Sequence, residues 1–372
     1  MTISFPIGEF YPSTLGGPAN TLYWHTCALK EAGLDCVVTT TTIGIEKGRV
    51  VEDQYVEFEG GEVYYGTGRY WSPKNVLKAF VNSRRADVVH MSSMTNPLSV
   101  FTFHLLALLG SKTKVIWSPR GELHPDALKY GKWKKMLVIR SVRLFSKRIT
   151  FHATSKAELK QIQQYFPKSR TIKVPNFILP SARVTISETK KQFLFLGRIH
   201  EIKGLENLIT AIGLSKTFKE SGFTLIIAGK HEERHEAYLN TLKDLVEKLG
   251  LSNVIQFIGH VSGVEKEELL AESYMLILPS FSENFGNVVV EALNQGCPVI
   301  ASKGTPWAIL EEEEAGFHVS NSPEALALAL DDALGLSRQK YEELKKNARN
   351  LVDVSFDVRN NIQKWVEIYR SI

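Results

Sequence analysis

The charged residues best placed to do chemistry stand just after apolar, β-branched runs. Arg198 and Lys203 lie in Gly197-Arg-Ile-His-Glu-Ile-Lys-Gly204, directly after Phe193–Leu196. Two cations at that spacing can neutralise a diphosphate leaving group, one as a planar fork and one as a point charge. They would stabilise developing negative charge without a metal. Glu283 and Glu291 lie in Pro279-Ser-Phe-Ser-Glu-Asn-Phe-Gly-Asn-Val-Val-Val-Glu-Ala-Leu-Asn-Gln-Gly296, which follows the apolar run Tyr274–Leu278. The pattern predicts a strand, a turn over Glu283–Gly286 and an amphipathic helix closed by Gly296. Glu283 then stands beside a helix N-terminus, whose free N–H groups and dipole favour anionic or hydroxyl-rich ligands. Carboxylates are acceptor-only groups and suit sugar and ribose hydroxyls. A third signal is Pro12-Ser-Thr-Leu-Gly-Gly-Pro18, after a strand around Ile3–Ile7, where two glycines let the backbone approach a phosphate. Taken singly, each signal has an ordinary structural reading: solvated loop cations, a helix-end charge, an exposed helix position, or a simple turn that matches neither Gly-x-Gly-x-x-Gly nor a Walker loop.

Holding such loops in place calls for a scaffold of strands that alternate with helices. Short strands are expected at Cys36–Thr41, Val88–Met91, Val115–Ser118, Ile149–Ala153 and Thr171–Val174, then at Phe193–Leu196, Thr224–Ala228, Val254–Ile258, Tyr274–Leu278 and Pro298–Ala301. Apolar runs separated by amphipathic stretches predict parallel, doubly wound sheets. A Pro-rich, polar break at Pro175–Lys191 divides them. The chain thus reads as α/β, with Rossmann-like domains over 1–178 and 191–355 and a linker over 179–190. Ligands of such sheets bind beyond the carboxyl ends of the strands, so the site is expected in the cleft between the domains. Val358, Ile362, Trp365, Val366, Ile368 and Tyr369 fall at helical spacing in the last segment.

Length and composition agree with two globular domains: 372 residues, 44% hydrophobic. Disordered, collagenous and disulfide-scaffold classes are excluded. The net charge of +5 conceals a split, because residues 1–180 carry 24 Lys and Arg against 13 Asp and Glu, net +11, and the remainder carries net −6. Cys27, Cys36 and Cys297 form no Cys-x-x-Cys spacing, so neither a disulfide framework nor a structural zinc site is indicated. A reducing cytoplasm is the expected compartment. The first residues lack a basic region followed by an apolar one, and the longest apolar stretch, Leu98–Leu109, is far shorter than the ~20 residues of a spanning helix.

Residues 129–148 hold eight cations and no acid. A helix there would place Arg140, Arg143 and Lys147 on one stripe and Leu137, Val138, Ser141, Val142, Leu144 and Phe145 on the opposite arc. The segment reads either as a core-packed helix with solvated cations or as a dock for an anionic leaflet. Nucleic acid is not expected, since no recognisable binding motif accompanies the charge.

Together and in this order, the motifs resemble the retaining glycosyltransferases of family 4, which have the GT-B fold of two facing Rossmann-like domains with an interdomain cleft. The resemblance rests on Gly16-Gly17, Asp87-Val-Val-His90, Ser155-Lys-Ala-Glu158, Val174-Pro-Asn176, Gly197-Arg198 with Lys203-Gly204, and the pair Glu283 and Glu291. It implies that Arg198 and Lys203 hold the donor diphosphate, that Glu283 lies beside the donor sugar and that Glu291 binds the nucleotide ribose. It further implies that Asn284, Phe285, Gly286 and Asn287 present backbone N–H groups to the donor, and that Gly17 contacts its phosphate from the first domain. The final helix, 356–372, would cross back onto that domain. Two motifs depart from the family. Trp117-Ser-Pro-Arg-Gly-Glu-Leu-His124 replaces a His-Gly loop, so Arg120, with His124 and His90, is expected on the acceptor side. Lys303-Gly-Thr-Pro-Trp307 replaces Gly-Gly-x-Pro-Glu, which removes a carboxylate. The implied activity is metal-independent transfer of a hexose-type sugar from a nucleotide-diphosphate sugar to a saccharide or lipid-linked saccharide. No cofactor is implied. A nucleotide-sugar epimerase or an inverting transferase would share the fold, and a two-lobed nucleotide-sugar binding protein is the non-enzymatic alternative.

Overall fold

The computed structural model describes residues 1–13, 17–129, 131–231 and 235–372. They divide into two compact units, Met1–Leu179 with Asp357–Ile372 and Pro180–Phe356.

The strands of the first unit are β1 (Thr2–Pro6), β2 (Asp35–Thr41), β3 (Tyr55–Phe58), β4 (Gly61–Gly66), β5 (Val88–Ser92), β6 (Lys114–Ser118), β7 (Ile149–Ala153) and β8 (Arg170–Lys173). Their order in the sheet is β3-β4-β2-β1-β5-β6-β7-β8. All pairings are parallel except β3 with β4. Every residue of β5 and β7 is buried, as expected of strands covered on both faces. The β3–β4 hairpin was not among the expected strands, although alternation around Gly60-Gly61 is a recognised hairpin signal. A side chain at Gly61, at φ +127°, would meet the Cys36 carbonyl.

The helix Val358–Ser371 belongs to this unit. Asp357 caps it by accepting from Arg359 N at 2.9 Å, and the Val358 N–H donates to Ile178 O at 2.8 Å. Its buried stripe, Val358, Ile362, Trp365, Val366 and Tyr369, joins a core with Phe5, Leu22, Leu29 and Val88.

The second unit contains β9 (Gln192–Leu196), β10 (Thr224–Ala228), β11 (Ile255–Gly259), β12 (Met275–Leu278), β13 (Val299–Ser302) and β14 (Gly316–Val319), all parallel, in the order β11-β10-β9-β12-β13-β14. That is the Rossmann order, with a reversal between β9 and β12. Phe193, Phe195, Leu225, Ile227, Met275 and Ile277 form its centre. The strap expected to be a linker instead packs on this unit. Val184 N donates to Gln295 Oε1 at 2.9 Å, and Arg183 reaches Asn294 O at 3.1 Å and Asp353 Oδ1 at 2.6 Å.

Candidate functional site

In the second unit the loops leaving β9 and β12 diverge from the point where strand order reverses, which is where open α/β sheets form a crevice. The β9 loop exposes Arg198, makes one 3₁₀ turn over Glu201–Lys203 and ends at Gly204, φ +67°. A Cβ there would come within 2.3 Å of Pro279 O, so glycine is required where the two loops touch. Phe281 N donates to Ile202 O at 2.8 Å and ties them together. This closure brings Lys203 onto Glu283 as an ion pair, with side-chain exposures of 15% and 14%. Ser280 Oγ donates to the same carboxylate oxygen at 3.0 Å. Two residues 80 positions apart, assigned to diphosphate and to sugar, are each other's partner.

Gly286, φ +80°, opens the helix Asn287–Gln295, which Gly296 closes at φ +76°. Asn284, Gly286 and Asn287 are half-buried at that N-terminus. The ring of Phe285 is buried against Trp307 and Phe356, with ring centroids 5.0 and 5.7 Å away. Trp307 Nε1 donates to the Phe285 carbonyl. The residue that departs from the family motif is thus a buried clamp on the turn.

Glu291 is not the exposed helix residue that its spacing allows. Its Oε2 lies 3.1 Å from Lys266 Nζ, which is also 3.2 Å from Glu267 Oε1. Burial opposes the charge of Lys266, yet Glu291 and Glu267 outweigh it and raise the ammonium pKa. Lys266 went unrecognised in the sequence because one Lys among helical acids carries no distinguishing signal.

In the first unit, strand order reverses between β1 and β5. A cavity of about 370 Å3 lies at that end of the sheet, lined among others by Gly8, Glu9, Tyr70, Ser92, Ser93 and Arg120. Tyr70 Oη donates to Glu9. Arg120 donates to Asn176 Oδ1, and its Nε reaches Ser92 Oγ at 3.4 Å. Glu122 accepts from Ser93 Oγ at 2.6 Å and Thr95 N at 2.8 Å. Burial raises its pKa against the pull of these bonds. Ser93 and Arg120 have φ of +66° and +58°, a left-handed backbone that costs free energy and gathers at functional sites. His124 is half-buried in the turn after Arg120. Gly17 is the first residue of the helix Gly17–Glu31, and Thr14–Gly16 lie outside the described residues.

His90 is a correction. It is 4% exposed within β5, and both ring nitrogens are committed to a buried chain. His25 Nε2 lies 2.9 Å from Tyr369 Oη, which lies 2.6 Å from His90 Nδ1; His90 Nε2 lies 2.8 Å from Ser118 Oγ, which lies 2.7 Å from His152 Nδ1; His152 Nε2 lies 2.8 Å from Val174 O. A carbonyl can only accept, so His152 donates through Nε2 and, when neutral, accepts at Nδ1. Ser118 therefore donates to His152 and accepts from His90, whose Nδ1 accepts from Tyr369, whose oxygen accepts from His25. One direction satisfies the whole chain with neutral imidazoles. Burial and the Arg120 cation push the pKa values of His25 and His152 down to about 3, and burial with the neighbouring imidazoles and Arg120 pushes His90 well below its usual value.

The basic segment forms the helix Lys132–Arg143, with Ile139 and Val142 buried. Leu137 and Leu144, expected on the buried arc, are 51% and 80% exposed, and Trp133 is 67% exposed. At 100° per residue these three and Arg140 share one arc of about 60°, opposite Val142. The expected arc runs too wide, because only its Val138–Val142 side meets the sheet. The adjacent helix Pro97–Leu108 adds exposed Phe101 and Leu108. Among the described residues, no helix is long and apolar enough to cross a membrane.

Two doubly wound units in one chain, one wholly and one mostly parallel, with loop clusters at their switch points, define the class as GT-B-like α/β. A solved structure of Anabaena HepE in complex with UDP and glucose superposes with a TM-score of 0.76 at 17% identity, covering 100% of each chain. Residues 181–351, within the second unit, match the family described as Glycosyl transferases group 1. An uncharacterized glycosyltransferase of Methanocaldococcus jannaschii is 30% identical over 190 residues, 50% of this chain and 46% of that one, so the likeness spans about half of each. An O-antigen chain mannosyltransferase of Salmonella typhimurium is 25% identical over 63% of this chain and 60% of its own.

Proposed function

We propose that the protein is a retaining hexosyltransferase that moves a sugar from a nucleotide diphosphate to a hydroxyl of a saccharide or lipid-linked saccharide in surface-polysaccharide synthesis. The observation that carries this reading is the Lys203–Glu283 pair, whose lysine is on the loop that also carries Arg198, with the Gly286 helix N-terminus, all at the switch point of the matched domain. A cation already paired with a carboxylate can exchange part of that pairing for an arriving diphosphate. Its ammonium then faces the charge that develops as the C1–O(phosphate) bond breaks. Glu283 keeps its place beside the sugar through Ser280. The acceptor oxygen bonds to C1 on the face that the phosphate leaves, and the acceptor's proton passes to the departing phosphate oxygen. Arg198 and Lys203 supply the charge stabilisation, so no metal is required for the step.

The acceptor side is assigned to the first unit's cavity. Its Glu9, Tyr70 and Arg120 offer acceptors and donors for saccharide hydroxyls. The face of Trp133, Leu137, Leu144 and Arg140 is read as a dock on an anionic leaflet, with apolar side chains entering the headgroup boundary and cations each adding about 1 kcal/mol.

A nucleotide-sugar and acceptor screen tests the transfer. Expected is acceptor-dependent release of the nucleoside diphosphate, with the anomeric configuration of the donor retained in the product. Inversion, epimerised donor, tight donor binding without turnover, or an absolute need for Mg2+ or Mn2+ would overturn the reading. Flotation with vesicles containing phosphatidylglycerol, but not with phosphatidylcholine alone, is expected for the native chain and lost on Trp133→Ser with Leu144→Ser.

A further inference from the structure

The loop that carries Arg198 and Lys203 also brings His200 and Glu201 against His235, at the start of the helix Glu236–Lys248. The two imidazole rings stand 4.4 Å apart. Glu201 Oε2 lies 3.4 Å from His200 Nδ1 and 3.6 Å from His235 Nδ1. Those separations are close to the edge of a tetrahedron with metal–ligand bonds of about 2.0–2.1 Å, and one ligand atom from each residue lies within 4.8 Å of the others. His235 Nε2 is buried without a hydrogen-bond partner, and its Nδ1 is beyond hydrogen-bonding reach of the carboxylate. Among the described residues, no hydrogen bond accounts for the position of the ring. The group lies outside the transfer machinery described above.

We propose that His200, Glu201 and His235 bind one divalent cation of the zinc class. Two imidazole nitrogens and one carboxylate oxygen favour Zn2+, Co2+ or Ni2+ over Mg2+, which prefers an all-oxygen octahedron. Three protein ligands leave a fourth position to water. Uptake at His200 Nδ1 exchanges the bond that this nitrogen accepts from Ile202 N at 3.1 Å. The bound ion ties the β9 loop to the start of the helix Glu236–Lys248, after β10, and so fixes the backbone between Arg198 and Lys203. It takes no part in bond making.

The test is titration of the chelator-treated full chain with Zn2+, Co2+ and Mg2+, read by calorimetry and by thermal unfolding. Expected are one Zn2+ per chain, a raised Tm with Zn2+ and not with Mg2+, and the intense visible absorption of tetrahedral Co2+. Loss of a mere outer-sphere partner costs roughly 10–100-fold in metal affinity, so His235→Ala and Glu201→Gln are expected to weaken Zn2+ at least that much while circular dichroism is unchanged. Absence of stoichiometric binding, equal response to Mg2+, or undiminished binding in both variants overturns the proposal. Because the readout is binding, it stands or falls apart from sugar transfer.

Discussion

The two units solve the same topological problem and differ in which of their polar groups can change partners. Each opens a crevice where strand order reverses, between β1 and β5 in one and between β9 and β12 in the other. In the second unit the polar groups there are charged and paired one cation to one or two carboxylates: Lys203 with Glu283, and Lys266 with Glu291 and Glu267. In the first, the polar groups behind the crevice are three neutral histidines, Ser118 and Tyr369, buried and locked into a single hydrogen-bond direction. Charged pairs that retain some exposure can be re-partnered by a charged ligand. A buried neutral chain cannot, because protonating His90 or His152 turns an accepting Nδ1 into a donor that faces the Tyr369 or Ser118 hydroxyl proton. The second unit is therefore built to exchange partners, and the first to hold its last helix in place while presenting a preformed cavity.

The largest expected effect probes the exchangeable side. Lys203→Ala should lower kcat/KM by about 10²–10³, the size seen when a single charge-stabilising group is removed. The unfolding free energy of the second unit should fall by about 1–3 kcal/mol, since the mostly buried Glu283 carboxylate keeps the Ser280 bond but loses its cation. Steady-state kinetics with denaturant unfolding separates the two. A variant that keeps its rate but loses stability would make the pair structural and erase the contrast.

Tyr369→Phe attacks the locked side. It leaves the His25 Nε2–H and the His90 Nδ1 lone pair without a partner in a fully buried setting. At about 1–3 kcal/mol for each unsatisfied group, stability should fall by roughly 2–4 kcal/mol. Nucleotide affinity should be unchanged. A loss of donor binding at full stability would mean that the chain reports to the second unit rather than holding the first.

The same chain predicts a pH dependence. Folded pKa values of about 3 at His25 and His152 lie below the unfolded value near 6.5. Between those limits the unfolded chain binds protons that the folded chain refuses, so stability is fully present above pH 6.5 and is lost as pH falls toward 3. Each histidine contributes a slope approaching 1.4 kcal/mol per pH unit within that window. Urea midpoints measured from pH 7.5 to 4.5 check this, and His25→Phe should flatten the slope. A pH-independent midpoint for the first unit would show that its histidines are not held neutral.

The scaffold was far more legible in the sequence than the partnerships. β7 and β10 fall where β-branched runs place them, and the Val358–Tyr369 stripe betrays its helix, because burial on both faces or on one stripe leaves a periodic trace. Arg198, Lys203, Glu283 and Glu291 were legible as candidates from their positions after strands. That Lys203 meets Glu283 was not, since an 80-residue contact depends on the Gly204–Pro279 approach and has no local period. His90 misled for a related reason. A polar residue at a strand end reads as presented to ligand, and only the partners from Tyr369 and Ser118, far away in the chain, make it a core residue. Leu137 and Leu144 misled in the other direction, because an apolar residue on a helix is assigned to the core unless something shows that the face is uncovered.

Trp307 offers the finest test of the contrast, because it is a neutral, buried hydrogen bond placed inside the exchangeable unit. Its indole N–H holds the Phe285 carbonyl, and its ring packs on Phe285 and Phe356. The turn it clamps delivers Gly286 and the helix N-terminus. Trp307→Phe keeps much of the packing and removes the donor, at a cost of about 1–2 kcal/mol for the carbonyl left unpaired. If the clamp positions the turn for the donor, KM for the nucleotide sugar should rise about three- to tenfold with kcat nearly unchanged, as for an interaction equal in ground and transition states. A stability loss with no change in KM would make Trp307 core alone. Rescue of KM by Trp307→His, which restores a ring N–H donor, would place the effect on the hydrogen bond rather than on ring volume.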